Sequence, residues 1–470
     1  MTDFLVTNGR VLTQNDRRAV IDPGAVAVTG DTISAVGPAA ELETATDPDR
    51  VVDAEGGAII PGLINTHVHV SDIFLRSAAD QDRGLYDWLL NVKQAGTLAM
   101  TADEQALAAI LYSAESIRSG TTTFVENDTG LDWENLERTR AKLDVYDSLG
   151  MRNIYGAGMT DSPADATFQT LYDETTVRNP DVAHPAPDEF VFETATVLDG
   201  VQSLLETHHD PDNRQSVWPA PVVLERITPE SLREAARLAE VYDVMTTVHV
   251  AEAEMQDQGP VSSVEYLRNV GYLGDRSLLG HCVQISDRDV RLLAETGTSV
   301  AHNVASNMRL ATGFAPVAEM LAHGITVGLG TDNAILNDTV NPLSDARLAA
   351  SAHKGFNRDP GVLPAQQAFD MVTREAAAAI GRGADLGSLE VGKQADIAIV
   401  DLDHPHLTPA PDPVHTLVYG LQGFEIETVL CGGEMLMDDR DLLTLDREES
   451  ELLAAAEKTA AQIVDRVGIQ

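Results

Sequence analysis

Cysteine and long apolar runs are in short supply in this sequence of 470 residues. The two cysteines, Cys282 and Cys431, lie far apart and form no CxxC pair, so the sequence predicts neither a disulfide framework nor a thiolate zinc site. No run of about 18 apolar residues occurs, and the N-terminus MTDFLVTNGR lacks the charged-then-apolar pattern of a targeting peptide. We therefore expect a soluble, cytoplasmic protein that does not cross a membrane.

Positive charge is also scarce, because 32 basic residues face 74 acidic ones and leave a net charge of −42. Only five of the basic residues are lysines: Lys93, Lys142, Lys354, Lys393 and Lys458. So acidic a surface repels phosphate backbones and anionic lipids, which argues against nucleic-acid and membrane partners. At about 1 M salt the Debye length falls to roughly 3 Å, and the self-repulsion of the chain is then largely screened. Acidity combined with lysine scarcity therefore predicts a halophilic protein.

Hydrophobic residues are plentiful. They make up 43% of the sequence, which is enough for a large buried core. Both ends of the chain have the texture of short strands and turns. Residues 1–60 and residues 383–445 contain β-rich pieces separated by glycine-containing turns. We expect these two segments to form one small β-sandwich domain together. Residues 446–470 are rich in alanine and glutamate and predict a C-terminal helix.

The middle of the chain alternates helical and strand-like segments. Thr228 followed by Pro229 is typical of a helix start, and Ser286 and Gly297 bracket another helix before the next apolar strand. Repeated units of helix, glycine and apolar strand indicate parallel strands that are buried on both faces. Eight candidate strands follow one another: LINTHVHV, TTTFVE, MRNIYGAG, a weaker strand near 221–226, VMTTVHV, SLLGHC, TSVAHN and ITVGLGTD.

Eight parallel strands joined by helices are typical of one α/β architecture. They predict a (β/α)8 TIM barrel over residues 61–382. Residues 161–219 are too long and irregular for a simple connection between two of the strands. We therefore expect part of this stretch to be an insertion or lid near the mouth of the barrel.

Histidines and one aspartate stand at the ends of four predicted strands. His67 and His69 end the first strand, His249 the fifth, His281 the sixth and Asp332 the eighth. Residues two apart in a strand point to the same face, and the C-terminal ends of parallel barrel strands open at one face. Paired histidines in one strand can also be merely packed, but five polar strand ends are hard to explain as core. Three imidazoles and one carboxylate suit a divalent transition metal such as zinc.

Several motifs of this sequence together resemble one enzyme family. PGLINTHVH, HVAE, GHCV, HNVASNMRLATGFAPV and GLGTDN occur in the order seen in the amidohydrolase superfamily. They are most similar to its aminohydrolase and chlorohydrolase branch, which includes S-adenosylhomocysteine/methylthioadenosine deaminases, guanine-type deaminases and triazine hydrolases. The resemblance covers nearly the whole chain. It implies a metal-dependent barrel with a split β domain.

The resemblance also implies roles for individual residues. His67, His69, His249 and Asp332 would bind the metal, whereas Glu252 and His281 would act on the substrate and the attacking water. Members with two metals use a carboxylated lysine in the barrel, and the corresponding stretch TTTFVEND contains no lysine. We therefore expect one divalent ion, with zinc preferred and Fe²⁺ or Mn²⁺ as alternatives.

Three further residues are candidates for substrate binding. Trp88 matches a tryptophan that lines the pocket in this branch, although a core position is the simpler interpretation of a lone tryptophan. Arg76 matches a Leu-Arg element that follows the paired histidines, with a structural ion pair as the alternative. His302 ends the seventh predicted strand and either orients substrate or supports a neighbour.

These features predict a hydrolytic deaminase that replaces an exocyclic amino group of a nitrogen heterocycle by hydroxyl and releases ammonia. The expected substrate is a small purine, pterin, pyrimidine or triazine, or a nucleoside. The alternatives are a chlorohydrolase or N-alkylamine hydrolase of triazine-like rings, a cyclic amide hydrolase, and a non-catalytic scaffold. Adenine-nucleoside members usually carry a glutamate after the tryptophan, and the segment from Trp88 to Val92 has none. A homodimer or homotetramer is expected by resemblance alone.

Overall fold

The fold was analysed in a computed structural model, which describes residues 2–78, 83–253, 256 and 260–469. Its strands follow the alternation that the sequence predicts. They are β1 Thr2–Leu12, β2 Val20–Thr29, β3 Thr32–Pro38, β4 Pro48–Asp53, β5 Ala58–Pro61, β6 Leu63–His69, β7 Thr121–Asp128, β8 Arg152–Met159, β9 Gln215–Pro221, β10 Thr246–Val250, β11 Ser277–His281, β12 Ser299–His302, β13 Val327–Leu329, β14 Asp332–Asn333, β15 Ile397–Val400, β16 Ile426–Cys431, β17 Glu434–Asp438 and β18 Asp441–Leu442.

Helices occupy most of the connections between these strands. They are α1 Ala39–Ala45, α2 Leu85–Trp88, α3 Ala95–Leu98, α4 Ala102–Arg118, α5 Glu137–Leu149, α6 Ala166–Arg178, α7 Thr194–His208, α8 Pro229–Tyr242, α9 Ser263–Val270, α10 Asp287–Thr296, α11 Val304–Arg309, α12 Val317–Ala322, α13 Ala334–Asn337, α14 Pro342–Asn357, α15 Ala365–Asp370, α16 Arg374–Ala379, α17 Pro413–Gly420 and α18 Glu449–Val467. A π-helix, Leu89–Gln94, joins α2 to α3. Among the described residues, none of the helices has the length and apolar character that crossing a bilayer requires.

The predicted helix boundaries are confirmed where a cap was recognised. The Thr228 side chain accepts a hydrogen bond from the Ser231 backbone N–H at the start of α8. Ser286 and Asp289 form a reciprocal capping box at the start of α10, and Gly297 ends that helix with a left-handed φ of 72°. These caps are local in sequence, which is why residue spacing alone revealed them.

The two ends of the chain meet in one sheet. Its strands run in the order β18-β17-β16-β15-β5-β1-β2-β3, and β4 pairs with the first half of β1. Because β15 pairs antiparallel with β5, residues near position 399 lie beside residues near position 59. The sheet therefore unites the two β-rich segments and leaves the middle of the chain to form separate parallel sheets.

The parallel strands form two sheets, β14-β6-β7-β8-β9 and β10-β11-β12-β13. At one junction a parallel bridge joins Val223 to His249. At the other, β13 pairs with β12 while β14, two residues further along, pairs with β6. All these strands are almost entirely buried, as the apolar runs predicted. Their C-terminal ends consequently lie on one side of the fold.

The fourth parallel strand was predicted at the wrong place. The sequence suggested a strand near 221–226, but the structure has β9 at Gln215–Pro221 and a 3₁₀ turn at Leu224–Arg226. Pro219 and Pro221 lack backbone N–H groups, so the sequence of this segment is typical of an interruption between strands. In β9 the run QSVWPAP is nonetheless buried throughout and pairs with β8.

The irregular stretch predicted over 161–219 ends earlier than expected, because β9 begins at Gln215. Its part between Met159 and α7 carries α6 and a loop without regular secondary structure. Asp161 anchors the stretch, since its carboxylate accepts hydrogen bonds from the hydroxyls of Thr194, Thr228 and Ser231. We call residues 160–193 the cap segment.

Candidate active site

Four of the predicted residues converge at the C-terminal ends of the parallel strands. His67 and His69 on β6, His249 on β10 and Asp332 on β14 are all buried. The Nε2 atoms of His69 and His249 are 3.2 Å apart, and Asp332 Oδ1 lies 3.3 Å from His69 Nε2 and 3.6 Å from His67 Nε2. The ligand atoms of His67, His69 and His249 lie within 4.8 Å of one another. We call these four residues the metal cluster.

The outer nitrogens of two imidazoles are held by backbone carbonyls. His69 Nδ1 lies 2.6 Å from the carbonyl oxygen of Asn127, and His249 Nδ1 lies 2.7 Å from that of Val222. A carbonyl only accepts, so both Nδ1 atoms carry the proton and both Nε2 atoms turn a lone pair towards the centre of the cluster. His67 Nε2 and Asp332 Oδ2 are buried with no hydrogen-bond partner among the described residues.

The electrostatics of the cluster also fit a cation. Burial holds the pKa values of His67 and His69 well below the usual range, and it lowers that of His249 to about 3. The imidazoles are therefore neutral, which is the form that binds metals. Unpartnered lone pairs on neutral histidines and a carboxylate are the donor set of a divalent transition metal. The residues present thus fit a divalent metal ion.

The backbone around the site departs from regular strand geometry. Ala251, His281 and Asp332 have left-handed φ values of 48°, 69° and 57°, a conformation that costs roughly 1–2 kcal/mol for a residue with a side chain. Such strain concentrates at functional sites. Gly330 sits close by, and an added Cβ there would lie 2.6 Å from His67 Cβ. The chain therefore needs glycine at this position to bring Asp332 alongside β6.

Glu252 and His281 lie beside the metal cluster. Glu252 Oε1 is 3.7 Å from His281 Nδ1, and the Asn307 side-chain amide lies 3.1 Å from the same nitrogen. Burial raises the pKa of Glu252 to about 8, and the charge of Asp332 adds to this effect. Burial lowers the pKa of His281 to about 3. The pair thus combines a carboxyl group that retains its proton near neutral pH with a neutral imidazole.

A cavity of about 320 Å³ opens onto the metal cluster, Glu252 and His281. This volume lies within the usual range of small-molecule sites. One wall comes from α2 and the π-helix and includes Trp88 and Lys93. The opposite wall comes largely from the cap segment, with Phe168 and Phe190 among its apolar side chains. The cap segment therefore contributes much of the lining of this cavity.

The three candidates for substrate binding lie in different surroundings. Trp88 is buried and lines the cavity. Arg76 instead donates a hydrogen bond of 2.8 Å to Glu115, and His302 Nε2 lies 2.9 Å from His353 Nε2. Within the part of the chain that the structure describes, neither Arg76 nor His302 lines the cavity. Their surroundings match the structural alternatives that the sequence left open.

Sequence reasoning missed charged residues of the cavity wall, among them Lys93 and Glu225. Lys93 is buried on the π-helix, with Nζ 3.8 Å from Asp72 Oδ2, and its charge acts on Glu252 and Asp332. Glu225 lies on the turn after β9. The rarity of lysine in this chain was a usable signal for Lys93. No sequence pattern singled out Glu225 among 74 acidic residues.

The chain is similar to characterised proteins over nearly its whole length. It is 34% identical over 472 residues to the 5-methylthioadenosine/S-adenosylhomocysteine deaminase of Nitratidesulfovibrio vulgaris, covering 99% of each chain. An adenosine deaminase structure from Xanthomonas campestris with bound zinc superposes with a TM-score of 0.86 at 26% identity, covering 98% of each chain. An atrazine chlorohydrolase structure from Arthrobacter aurescens, complexed with zinc, has a TM-score of 0.86 at 25% identity and covers 97% of this chain and 100% of its own.

A family model provides independent support for the resemblance first seen in the motifs. The model for the amidohydrolase family matches residues 58–436, which contain the metal cluster, Glu252 and His281. The match covers most of the chain, and the relatives above agree with it. The protein therefore belongs to the amidohydrolase family and is a hydrolytic enzyme with a site for a divalent metal ion.

Proposed function

We propose that this enzyme is a zinc-dependent deaminase that hydrolyses the exocyclic amino group of adenine-type nucleosides and releases ammonia. The observation that carries the proposal is the metal cluster with its unpartnered His67 and Asp332 atoms, set beside Glu252 in the lining of one cavity. Similarity to proteins named as deaminases of adenine nucleosides supports the substrate class. The zinc in the neighbouring structures supports the choice of metal.

The first chemical requirement is a nucleophile held against the ring carbon that bears the amino group. His67, His69, His249 and Asp332 would hold the metal ion, which when bound supplies Lewis acidity that makes water a nucleophile near neutral pH. Asp332 keeps one carboxylate oxygen without a hydrogen-bond partner, so this oxygen is available to accept a proton from water. The neutral His281 imidazole lies where it can donate a hydrogen bond to the oxygen that develops on the attacked carbon.

The second requirement is proton supply to the heterocycle and to the leaving amine. Burial holds a proton on Glu252 near neutral pH. Donating this proton to the adjacent ring nitrogen makes the neighbouring carbon electrophilic. Asp332 then returns the proton taken from water to the departing amino group, so that the products are the hydroxyl-substituted ring and ammonia. Once ammonia has left, the protonated product returns one proton to Glu252, so both carboxyl groups regain their starting states and the protons balance.

A substrate panel with metal analysis tests this proposal directly. Purified enzyme is assayed for ammonia release from adenosine, 5′-methylthioadenosine and S-adenosylhomocysteine, and its metal content is determined by elemental analysis. We expect ammonia from at least one nucleoside and one zinc ion per chain. Ammonia release from none of them by zinc-loaded enzyme would contradict the proposal.

The same site chemistry suits a second reaction, which the likeness to atrazine chlorohydrolase favours. Attack on a ring carbon that bears chloride or an alkylamine requires the same nucleophile and the same ring protonation by Glu252. Chloride release from atrazine, measured beside ammonia release from adenosine, separates the two functions. Consumption of the triazine without consumption of nucleosides would support this second function instead.

We also propose an architecture for the whole chain. The bridge between Val223 and His249 and the pairing of β14 with β6 support closure of the two parallel sheets into one (β/α)8 barrel over residues 61–382. The sheet shared by both ends supports a β-sandwich of residues 1–60 and 383–445, followed by α18 within 446–470. A homodimer or homotetramer remains a proposal, which sedimentation equilibrium tests.

The composition supports a proposal about the environment of the enzyme. A net charge of −42 with five lysines suits a halophilic, cytoplasmic protein, because molar salt screens the repulsion between exposed carboxylates. We expect the melting temperature to rise as potassium chloride increases into the molar range. A melting temperature that stays constant over that range would contradict the halophilic assignment.

A further inference from the structure

Glu225 carries a carboxyl group on the cavity wall, and one of its two oxygens has no partner within the described part of the chain. It lies on the 3₁₀ turn Leu224–Arg226 that follows β9, and it lines the same cavity as the metal cluster. Its Oε1 atom is buried and has no hydrogen-bond partner among the described residues. A buried acceptor left unpaired costs folding free energy and calls for an explanation.

The turn around Glu225 is clamped in place. Leu224 is buried in the core, and the Arg226 guanidinium donates hydrogen bonds to the backbone oxygens of Ser162 and Pro187 and pairs with Asp188 at 3.1 Å. These contacts tie the turn to the cap segment. Because both neighbours of Glu225 are held, the backbone that carries its side chain has a fixed position on the cavity wall.

The charges near Glu225 leave it without compensation. The charge of Asp165 raises the pKa of Glu225, and the charge of Glu225 raises the pKa of Glu252. The Arg226 guanidinium is engaged with the cap segment. Burial raises the pKa of Glu225 to about 7, with a smaller contribution from Asp165. Asp165 is already occupied, because its side chain accepts a hydrogen bond from the Phe168 backbone N–H as the N-cap of α6. Glu225 thus has a buried acceptor oxygen without a partner among the described residues, whereas Asp165 already caps α6.

We infer that Glu225 is a specificity-determining residue that accepts hydrogen bonds from two adjacent hydroxyl groups of the substrate. An ionised carboxylate is an acceptor only, and its two oxygens match the two O–H donors of a vicinal diol. The apolar walls around Trp88 and Phe168 suit the flat ring. This inference rests on the proposed function and narrows its substrates to ribonucleosides, with the base at the metal cluster and the sugar diol at Glu225.

The test compares two substrates that differ only in the diol. Wild-type enzyme, Glu225→Gln and Glu225→Asp are assayed with adenosine and with 2′,3′-dideoxyadenosine. The matched control is Glu230→Gln, which alters an exposed glutamate five residues further along, in the first turn of α8. Metal content and melting temperature are measured for every variant, so that a folding defect is recognised.

We expect wild-type enzyme to prefer adenosine by about 10- to 100-fold in kcat/KM, the range of a charge-assisted hydrogen bond to a substrate. In Glu225→Gln this preference collapses, mainly through KM for adenosine, while kcat and activity on the dideoxynucleoside change little. Glu225→Asp restores part of the preference, and Glu230→Gln behaves as wild type.

Three outcomes would overturn the inference, and they differ in what they say about the proposed function. Equal use of both nucleosides by wild-type enzyme, or an unchanged preference in Glu225→Gln, would remove Glu225 from diol recognition while leaving the deaminase intact. If zinc-loaded wild-type enzyme releases ammonia from none of adenosine, 2′,3′-dideoxyadenosine, 5′-methylthioadenosine and S-adenosylhomocysteine, the proposed function and this inference are overturned together.

Discussion

Two buried clusters of charged and polar groups lie side by side in this protein and are built in opposite ways. The metal cluster holds three histidines and Asp332. The second cluster, which we call the lysine cluster, consists of Lys142 with Glu126, Asp128, Tyr146 and Tyr155. Both are buried, and Asn127, whose carbonyl contacts His69, sits on β7 between the two carboxylates of the lysine cluster.

The difference lies in how each cluster satisfies its polar atoms. Lys142 Nζ donates to both Glu126 and Asp128, Tyr146 donates to Glu126 at 2.7 Å, and Tyr155 donates to Asp128 at 2.6 Å. Burial alone would lower the pKa of Lys142, but the two carboxylates outweigh burial and raise it. The metal cluster instead leaves buried atoms of two side chains without partners. Complete internal pairing indicates a structural role, whereas missing partners indicate a ligand.

Removing a metal ligand gives the largest effect that this comparison predicts. Asp332→Ala removes both a proposed metal ligand and the proposed proton acceptor, and we expect the bound metal to be lost and turnover to fall by about 10³-fold or more. His249→Ala should behave in the same way. Elemental analysis and ammonia release measure both effects. Exposed His323→Ala is the matched control, and full metal occupancy in either ligand variant would contradict the ligand assignment.

Glu252→Gln separates metal binding from proton transfer in the candidate active site. The amide keeps the size of the side chain but cannot donate the acidic proton, so kcat/KM should fall by about 10²- to 10⁴-fold. Metal content should stay at the wild-type level, because Glu252 is not among the proposed ligands. Wild-type turnover would remove Glu252 from the mechanism, and loss of metal would place it in the ligand set.

Lys142→Met applies the opposite test to the lysine cluster. The substitution leaves two buried carboxylates without their cation, and breaking such a pair costs about 3–5 kcal/mol of stability. Chemical denaturation measures this loss, and exposed Lys458→Met on α18 is the control. We expect the folded variant to retain its metal and its activity. Loss of metal from folded protein would show that the lysine cluster also positions Asn127 and is not purely structural.

The same contrast explains how far the sequence could predict this molecule. His67, His69, His249, His281 and Asp332 were found because strand ends converge in parallel sheets, a rule that needs only the order of elements. The caps of α8 and α10 were predicted for a different reason, because a cap depends only on residues within one helical turn.

Features that depend on long-range contacts could not be predicted in this way. The lysine cluster joins residues of β7, β8 and α5, and the partners of Lys142 cannot be read from spacing. Glu225 lines the cavity on a turn that Arg226 joins to the cap segment, and this contact spans 39 residues of sequence. The fourth strand was misplaced because its two prolines suggest a break, whereas pairing with β8 overrides that preference.

Glu225 differs from the carboxylates of both clusters. It is a partly buried carboxyl group that is not a proposed metal ligand and, among the described residues, forms no ion pair with a lysine. Its pKa is raised from 4.5 to about 7, mainly by burial, so the folded protein binds a proton that the unfolded chain has released between those pH values. The contribution of Glu225 to the free energy of unfolding is fully present below about pH 4.5 and is lost as the pH rises to about 7. The surrounding Asp165 and Glu252 carboxyls act in the same direction, and Arg226 and Lys93 are engaged elsewhere.

Glu225→Gln should therefore change stability in a pH-dependent way when no substrate is present. Near pH 5 the variant and wild type should melt at similar temperatures, since both side chains are largely neutral. At pH 8 the variant should be more stable by about 1–3 kcal/mol, because the neutral amide avoids burying a charge. Melting curves at the two pH values, with Glu230→Gln as control, measure the difference. A variant that is less stable at pH 8 would show that the Glu225 carboxylate has a protein partner. Glu225 would then be a paired structural carboxylate, like those of the lysine cluster.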